Sequence, residues 1–336
     1  MPIFHNQLIE PQPSDPFGEN RAFKHRRRRT LLGAKIEFAT DSDALAALAD
    51  EAFAGLPAQR LAGAPALSIA MQLQPGAAEP RSNAPASPVL QSAGGMLIGS
   101  LGGFGFAVLS PASRCALLSV NRAFLEHPYH LRYELMEFAV YTLAARARSL
   151  VPLHGGCIGK QGRGVLLLGD SGTGKSTLAM LSLYQGFDFL AEDAVFVEPR
   201  TLRATGISNF LHVRHEATRW LTPSQRRQVK AAPRIERRSG VRKYEMDLRQ
   251  APFRLAQTPL KISALVFLST RFARGPALIP LSREAALKRL RHEQAYAAAL
   301  PAWQPFERKL KNLPVLELRR GEHPLESLAA LESLLA

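Results

Sequence analysis

Gly169-Asp170-Ser171-Gly172-Thr173-Gly174-Lys175-Ser176 is the stretch that decides the fold. It follows the apolar run 165–168 and opens into 177–184, a segment of helical pattern. Strand, glycine-rich turn and helix start together build a cradle for phosphate. The glycines let backbone N–H groups converge on phosphate oxygens without a Cβ in the way, and the helix start adds the positive end of its dipole. In such a pattern Lys175 reaches the β- and γ-phosphates and the Ser176 hydroxyl suits Mg²⁺. The predicted nucleotide-binding residues run from Gly169 through Thr177. An ordinary glycine-rich connection is the competing account, but it would not require the full pattern together with the flanking strand and helix.

Composition bounds the rest. The chain has 336 residues, enough for two domains and a large core, with 46% hydrophobic and 21% charged residues, as in ordinary globular proteins. Its two cysteines, Cys115 and Cys157, exclude a disulfide framework and cannot close a structural zinc site by themselves. The N-terminus lacks a basic-then-apolar signal pattern, and the longest nearly uncharged stretch, 94–111, is broken by glycines. A cytoplasmic protein with no membrane span is expected.

The net charge of +15 is unevenly spread. Lys24 and Arg26 to Arg29 form one basic run, and residues 226–243 form a second with only Glu236 opposing it. Neither run is interleaved with the aromatics that stack on single-stranded nucleic acid, so nucleic acid is disfavoured as a partner. Solvated surface accounts for the first run. A solvated charged face also accounts for most of the second, which could otherwise form a mobile segment that closes over a triphosphate, with Arg242 and Lys243 foremost, or that docks an acidic peptide.

Along the chain the pattern predicts an irregular tail over 1–22 and a β-rich α+β domain over 23–125. That domain holds strands at 31–40 and 66–73, a helix capped by Asp41 or Ser42, a proline-rich loop over 74–88, and a small antiparallel sheet from 95–100, 104–109 and 115–120. A long helix over 130–150 introduces a nucleotide domain, 126–336. Its order from residue 151 is βαβ-like, with strands at 151–158, 165–168 and 187–197 around a helix over 176–185. Later strands are expected at 262–268, 277–281 and 315–318, and later helices at 283–299 and 325–335.

Two further features carry chemistry. Phe187-Asp188-Phe189-Leu190-Ala191-Glu192-Asp193-Ala194-Val195-Phe196-Val197 is an apolar strand interrupted by adjacent acids. Neighbours on a strand face opposite ways, so one carboxylate would face Mg²⁺ and the other an incoming hydroxyl. A loop acid beside a cap is the plainer account. His154, followed by Gly155 and Gly156, is equally compatible with a structural and a functional role; the glycines predict close approach of a ligand or another backbone.

With these pieces the chain resembles the catalytic domain of the HPr kinase/phosphorylase family, bacterial enzymes that phosphorylate a serine of a phosphocarrier protein. The resemblance rests on His154-Gly155, the loop 169–176, and Gly186-Phe187-Asp188-Phe189-Leu190-Ala191-Glu192-Asp193, and covers about residues 150–200. The layout is most similar to the divergent HPr-kinase-like serine kinases found in peptide-modification gene clusters. Those share the strand seen here as Pro259-Leu260-Lys261-Ile262-Ser263-Ala264-Leu265-Val266-Phe267-Leu268. The implied fold is α/β, a P-loop core of the HPr-kinase/PEP-carboxykinase-like type beside the smaller N-terminal domain.

The resemblance implies ATP and Mg²⁺ as cofactors, Lys175 on the phosphates, Ser176 and Asp193 on the metal, His154 near the transferring phosphate, and Glu192 as the catalytic acid–base residue. Glu192 stands where the family carries Asp, and the family's later Arg-Gly-Leu-Gly stretch is not recognisable. The expected function is a kinase acting on a hydroxyl, serine foremost, of a protein or peptide; related kinases oligomerise, which leaves a homo-oligomer open. A small-molecule kinase on the same core and a non-catalytic nucleotide-sensing module are the alternatives.

Overall fold

The computed structural model describes residues 22–74, 86–250, 253–273 and 278–335. The tail expected over 1–22 lies outside them but for residue 22, as do most of the loop 74–88 and the first residue of the strand expected at 277–281. The chain forms two compact units. One comprises the chain up to Arg29, Lys35–Ala54 and Ala66–Leu143; the other comprises Thr30–Ala34, Gly55–Pro65 and Ala144–Ala336.

The first unit carries a seven-stranded sheet of β1 (His25–Leu31), β2 (Ala34–Thr40), β3 (Ala66–Leu73), β4 (Val89–Ala93), β5 (Met96–Ser100), β6 (Gly105–Ser110) and β7 (Cys115–Val120), in the order β1-β2-β3-β7-β6-β5-β4. The expected antiparallel meander is there as β4 to β7. The sheet is nevertheless mixed, because β2 and β3, and then β3 and β7, pair in parallel. The helix Asp43–Phe53 makes the crossover that a parallel β2–β3 pair requires. Ser42 caps it by accepting from the Leu45 N–H, an interaction worth about 1 kcal/mol. Its buried residues Leu45, Ala46, Ala49, Ala52 and Phe53 follow the helical repeat, and Phe53 stacks on Phe38 of β2 at 5.2 Å.

The first basic run is a strand and not merely solvated surface. Alternation along β1 sends its arginines to opposite faces. Arg26 and Arg28 reach Glu37 of β2 at 2.5 and 2.7 Å, and Arg27 and Arg29 reach Asp50 of the helix at 2.8 and 2.6 Å. Such surface pairs are each worth under about 1 kcal/mol, so they set register and solubility more than stability.

The second unit is also mixed α/β. Its strands are β8 (Val151–His154), β9 (Gly156–Lys160), β10 (Arg163–Leu168), β11 (Asp188–Ala191), β12 (Ala194–Val197), β13 (Arg203–Gly206), β14 (Phe210–Val213), β15 (Arg234–Glu236), β16 (Arg242–Asp247), β17 (Leu260–Phe272), β18 (Leu278–Pro280) and β19 (Val315–Arg320). Nine of them form one sheet along the path β11-β9-β10-β17-β13-β12-β8, with β19 also on β17 and β18 on β19. The long β17 makes this branching feasible: Leu260 and Lys261 pair with β13, while Leu265 to Leu268 and Phe272 pair with β19. A separate sheet has the order β14-β16-β15.

Several expected elements are corrected. The order is not βαβ: β9 and β10 form an antiparallel hairpin, and β11, after the helix Lys175–Tyr184, pairs antiparallel with β9. The parallel partner of β10 is β17, far along the chain. The strand expected over 151–158 breaks at Gly155 into β8 and β9, and that over 187–197 breaks at Glu192-Asp193 into β11 and β12. The segment 226–243 comprises part of the helix Pro223–Ala231, β15, a connecting turn and the start of β16.

The apolar runs of β10 and β17 are buried on both faces. One face packs on the helices Lys175–Tyr184 and Pro324–Ser333 and on the small sheet; the other packs on the helices Arg283–Glu293 and Trp303–Leu310. Cys157 of β9 is fully buried, which pushes its thiol pKa up, whereas Cys115 of β7 is half-buried. A thiol reagent should therefore label Cys115 first in the native protein and reach Cys157 only on unfolding; equal native rates, read by mass spectrometry, would contradict this packing.

Candidate functional site

The glycine-rich loop leaves the end of β10 and enters the helix Lys175–Tyr184. Gly169, Gly172 and Gly174 have φ of +128°, +84° and +105°, in the region that favours glycine. A Cβ at Gly169 would also stand 2.9 Å from the Leu268 carbonyl of β17. Gly174 is the helix N-cap and has no side chain to occupy the first-turn N–H groups, which an anion can therefore use. Lys175 is buried inside the loop and donates to the Gly169 and Asp170 carbonyls at 2.5 and 3.1 Å. Thr173 ties the loop by donating to Asp170 O at 2.8 Å. From outside, Arg320 at the end of β19 donates to Gly172 O at 2.6 Å.

A cavity of about 580 Å³ opens over this loop. Ser171 through Thr177 line it, whereas Gly169 and Asp170 do not. His154 and Asp193 also line it, so the expected histidine, loop and acid meet in one place. Glu192 lies just behind the wall, at 7% exposure.

Backbone pairing brings these residues together. Ala194 of β12 lies opposite His154 of β8, and the Gly155 N–H donates to Asp193 O at 3.1 Å. A Cβ on Gly155 would sit 2.7 Å from the Leu167 carbonyl. The glycines after His154 thus serve the approach of another backbone. Gln294, at the end of the helix Arg283–Glu293, pins His154 from behind: its Oε1 accepts from His154 N at 2.8 Å and its Nε2 donates to His154 O at 3.0 Å.

The two acids occupy the bend between β11 and β12, off any ladder, and so acquire different surroundings. Glu192 Oε2 accepts from the His212 backbone N–H at 3.3 Å, and the side chains of Ser176, His212 and Lys243 stand close. Its Oε1 is buried and has no hydrogen-bond partner of ordinary geometry among the described residues. Burial, then the neighbouring Asp193, raises the Glu192 pKa; His212, Ser176 and Lys243 offset this only in part. Burial also opposes ionisation of Asp193, but Arg237, His154 and Lys243 outweigh it and hold its pKa below the ordinary value. Arg237 reaches Asp193 Oδ2 at 3.3 Å.

Of the two basic residues singled out beforehand, only Lys243 faces the site. Successive residues of β16 alternate, so Arg242 points away, exposed, to Glu236 at 2.9 Å. Burial, then Arg237, lowers the Lys243 pKa. Arg237, which also lines the cavity, belonged to the basic run but carried no distinguishing signal. Gln294, Trp220 and Arg320 carried none, because each reaches the site through packing of distant segments. Among the described residues no group of three or more His, Cys, Asp or Glu side chains is placed to hold a metal by itself, and no helix is long and apolar enough to cross a membrane.

No protein-family model matches the sequence, and no curated protein matches it. Among solved structures, the Hpr(Ser) kinase/phosphatase from Coxiella burnetii is similar over 55% of this chain and 90% of that one, at 11% identity and a TM-score of 0.27. A likeness of that degree carries no argument about the site, which rests on its own geometry.

The burial of Glu192 has a sign that can be checked. Its pKa in the fold lies above the ordinary 4.5, so the native state binds the extra proton and stability falls as pH rises from that ordinary value through the raised one. Glu192→Gln should therefore melt higher than wild type at neutral pH, and the gap should close as the pH is lowered below the glutamate range. An equal or lower melting temperature for the variant at neutral pH would count against a strained buried carboxylate.

Proposed function

We propose that the second unit is an ATP- and Mg²⁺-dependent kinase transferring the γ-phosphate to a hydroxyl, serine foremost, of a protein or peptide. The observation that carries this reading is that the glycine-rich loop and a cationically surrounded carboxylate, Asp193, open into one cavity, with Glu192 set against the loop's Ser176.

In the proposed reaction the loop's N–H groups and Lys175 hold the β- and γ-phosphates. The acceptor oxygen attacks the γ-phosphorus, the bond to the β-bridging oxygen breaks, ADP leaves, and the hydroxyl proton passes to a carboxylate. His154, Arg237 and Lys243 offer positive charge or hydrogen bonds to the oxygens that gain charge. The transition state of phosphoryl transfer is loose, so orientation counts for more than base strength, and a carboxylate of lowered pKa such as Asp193 is adequate.

A magnesium ion, when bound with ATP, would neutralise phosphate charge. Ser176 and Glu192 fit that ion: Glu192 Oε1 is buried with no hydrogen-bond partner of ordinary geometry among the described residues, the Ser176 hydroxyl stands close to the carboxylate, and Mg²⁺ commonly takes only one or two carboxylates beside phosphate oxygens. This favours Glu192 at the cation and Asp193 at the hydroxyl. The resemblance implies the reverse division, and the two arrangements have different consequences.

Incubation with labelled ATP and a panel of serine peptides should give phosphopeptide. Asp193→Asn should lower transfer by about 100-fold or more while ATP binding persists, and Glu192→Gln should raise the Mg²⁺ concentration needed. If Glu192→Gln instead abolishes transfer at unchanged Mg²⁺ dependence, Glu192 is the hydroxyl-facing acid. ATP binding that Lys175→Ala abolishes, with transfer to no peptide or metabolite, would replace the kinase with a nucleotide-binding module.

A further inference from the structure

The cavity extends to both sides of the glycine-rich loop, and the two sides differ in chemistry. β10 delivers the loop, and its parallel neighbour β17 leads to the parallel β19, which ends at Arg320. On the other side of β10 lie β9 and then β11, which ends just before Glu192-Asp193. The acids and Arg320 thus flank the loop from opposite directions. The turn Arg214–Trp220 spans the distance between them: Arg214 is near enough to Lys243 to lower its pKa, while Trp220 meets His323, just beyond Arg320, edge-on at 4.8 Å.

The Arg320 side has what a flat, neutral heterocycle needs. Trp220 is half-buried, packs on the core and lines the cavity. The Arg219 guanidinium, also on the wall, lies over the indole ring, 4.6 Å from its centre. His323 caps the helix Pro324–Ser333 by accepting from the Leu325 N–H at 3.1 Å, and Pro324 adds apolar wall. A guanidinium laid over an indole, braced by a capped helix, presents a flat cationic surface on which a base can stack. If the reacting phosphate lies toward Asp193, as the kinase reading requires, the remainder of the nucleotide runs the other way, toward Trp220.

We propose that Trp220 and Arg219 form the nucleobase subsite of this cavity. The inference rests on the nucleotide reading given above. Stacking tolerates any base, so ATP and GTP should bind with similar affinity.

Inorganic tripolyphosphate, which has no base, separates the two ideas. The protein has two tryptophans, and Trp303 is buried in a different helix, so Trp303→Phe leaves Trp220 as the fluorescent reporter. ATP should quench Trp220, and tripolyphosphate should compete with ATP while leaving Trp220 largely unquenched. Trp220→Leu should weaken ATP by roughly 10-fold to 100-fold and leave tripolyphosphate affinity unchanged. Arg219→Ala should act in the same direction and provides a second variant if Trp220→Leu does not fold. If Trp303→Phe does not fold, the difference between wild-type and Arg219→Ala calorimetric titrations gives the same answer. Unchanged ATP affinity in the Trp220 and Arg219 variants, or equal losses for ATP and tripolyphosphate, would overturn the subsite and leave the phosphate cradle standing. If wild type binds neither ligand, the nucleotide reading and the subsite both fail.

Discussion

Glu192 is a carboxyl group buried beside a second carboxyl, and the site is organised around that costly pairing. A buried charge without compensation is costly enough that the group would remain protonated. Here the compensation comes from separate parts of the chain: Ser176 at the helix start, the His212 backbone on β14, Lys243 on β16 and, for Asp193, Arg237 between β15 and β16. None of these elements adjoins the acids in sequence. The small sheet β14-β16-β15 thus has an electrostatic task besides its apolar one: Tyr244 and Met246 enter the core from one face, while on the other Lys243 serves the acids and Glu245 pairs with His212 at 3.3 Å.

Backbone geometry limits where those charges can stand. β8 and β12 pair so that His154 and Ala194 are opposite, and this pairing carries Asp193 to the cavity wall. The chain passes so close to β10 at Gly155 that no side chain fits. On the other flank, the parallel alignment of β10, β17 and β19 brings their ends to one edge of the sheet, where the loop and Arg320 meet. Ligands of open α/β sheets gather at such an edge because strand ends and helix starts converge there.

The glycine-rich loop was legible because it is local: strand, turn and helix start are contiguous, and glycine at positive φ is a requirement that composition displays directly. The helix Asp43–Phe53 with its Ser42 cap and the strand Ala66–Leu73 were legible for the same reason, as short-range periodicity. The acids were found, but their setting was not. An apolar run broken by two acids reads as one strand, whereas the break proved to be a bend between two strands with different partners. Alternation along β16 in principle separated Arg242 from Lys243, yet only the fold could say which face was inward.

By itself the sequence determined the elements whose physics is confined to a few neighbouring residues: the glycine-rich loop, the capped helix, the apolar strands of a mixed α/β chain and the residue types that can handle phosphate. Tertiary structure decided which strands are parallel, which of two adjacent acids faces the cavity, which distant side chains (Arg237, Arg320, Trp220) complete the wall, and that Gln294 holds His154 from behind. The reason is physical. Local hydrogen bonding and side-chain periodicity act over a few residues, whereas strand pairing, desolvation and charge compensation act through space between segments whose separation along the chain leaves no periodic trace.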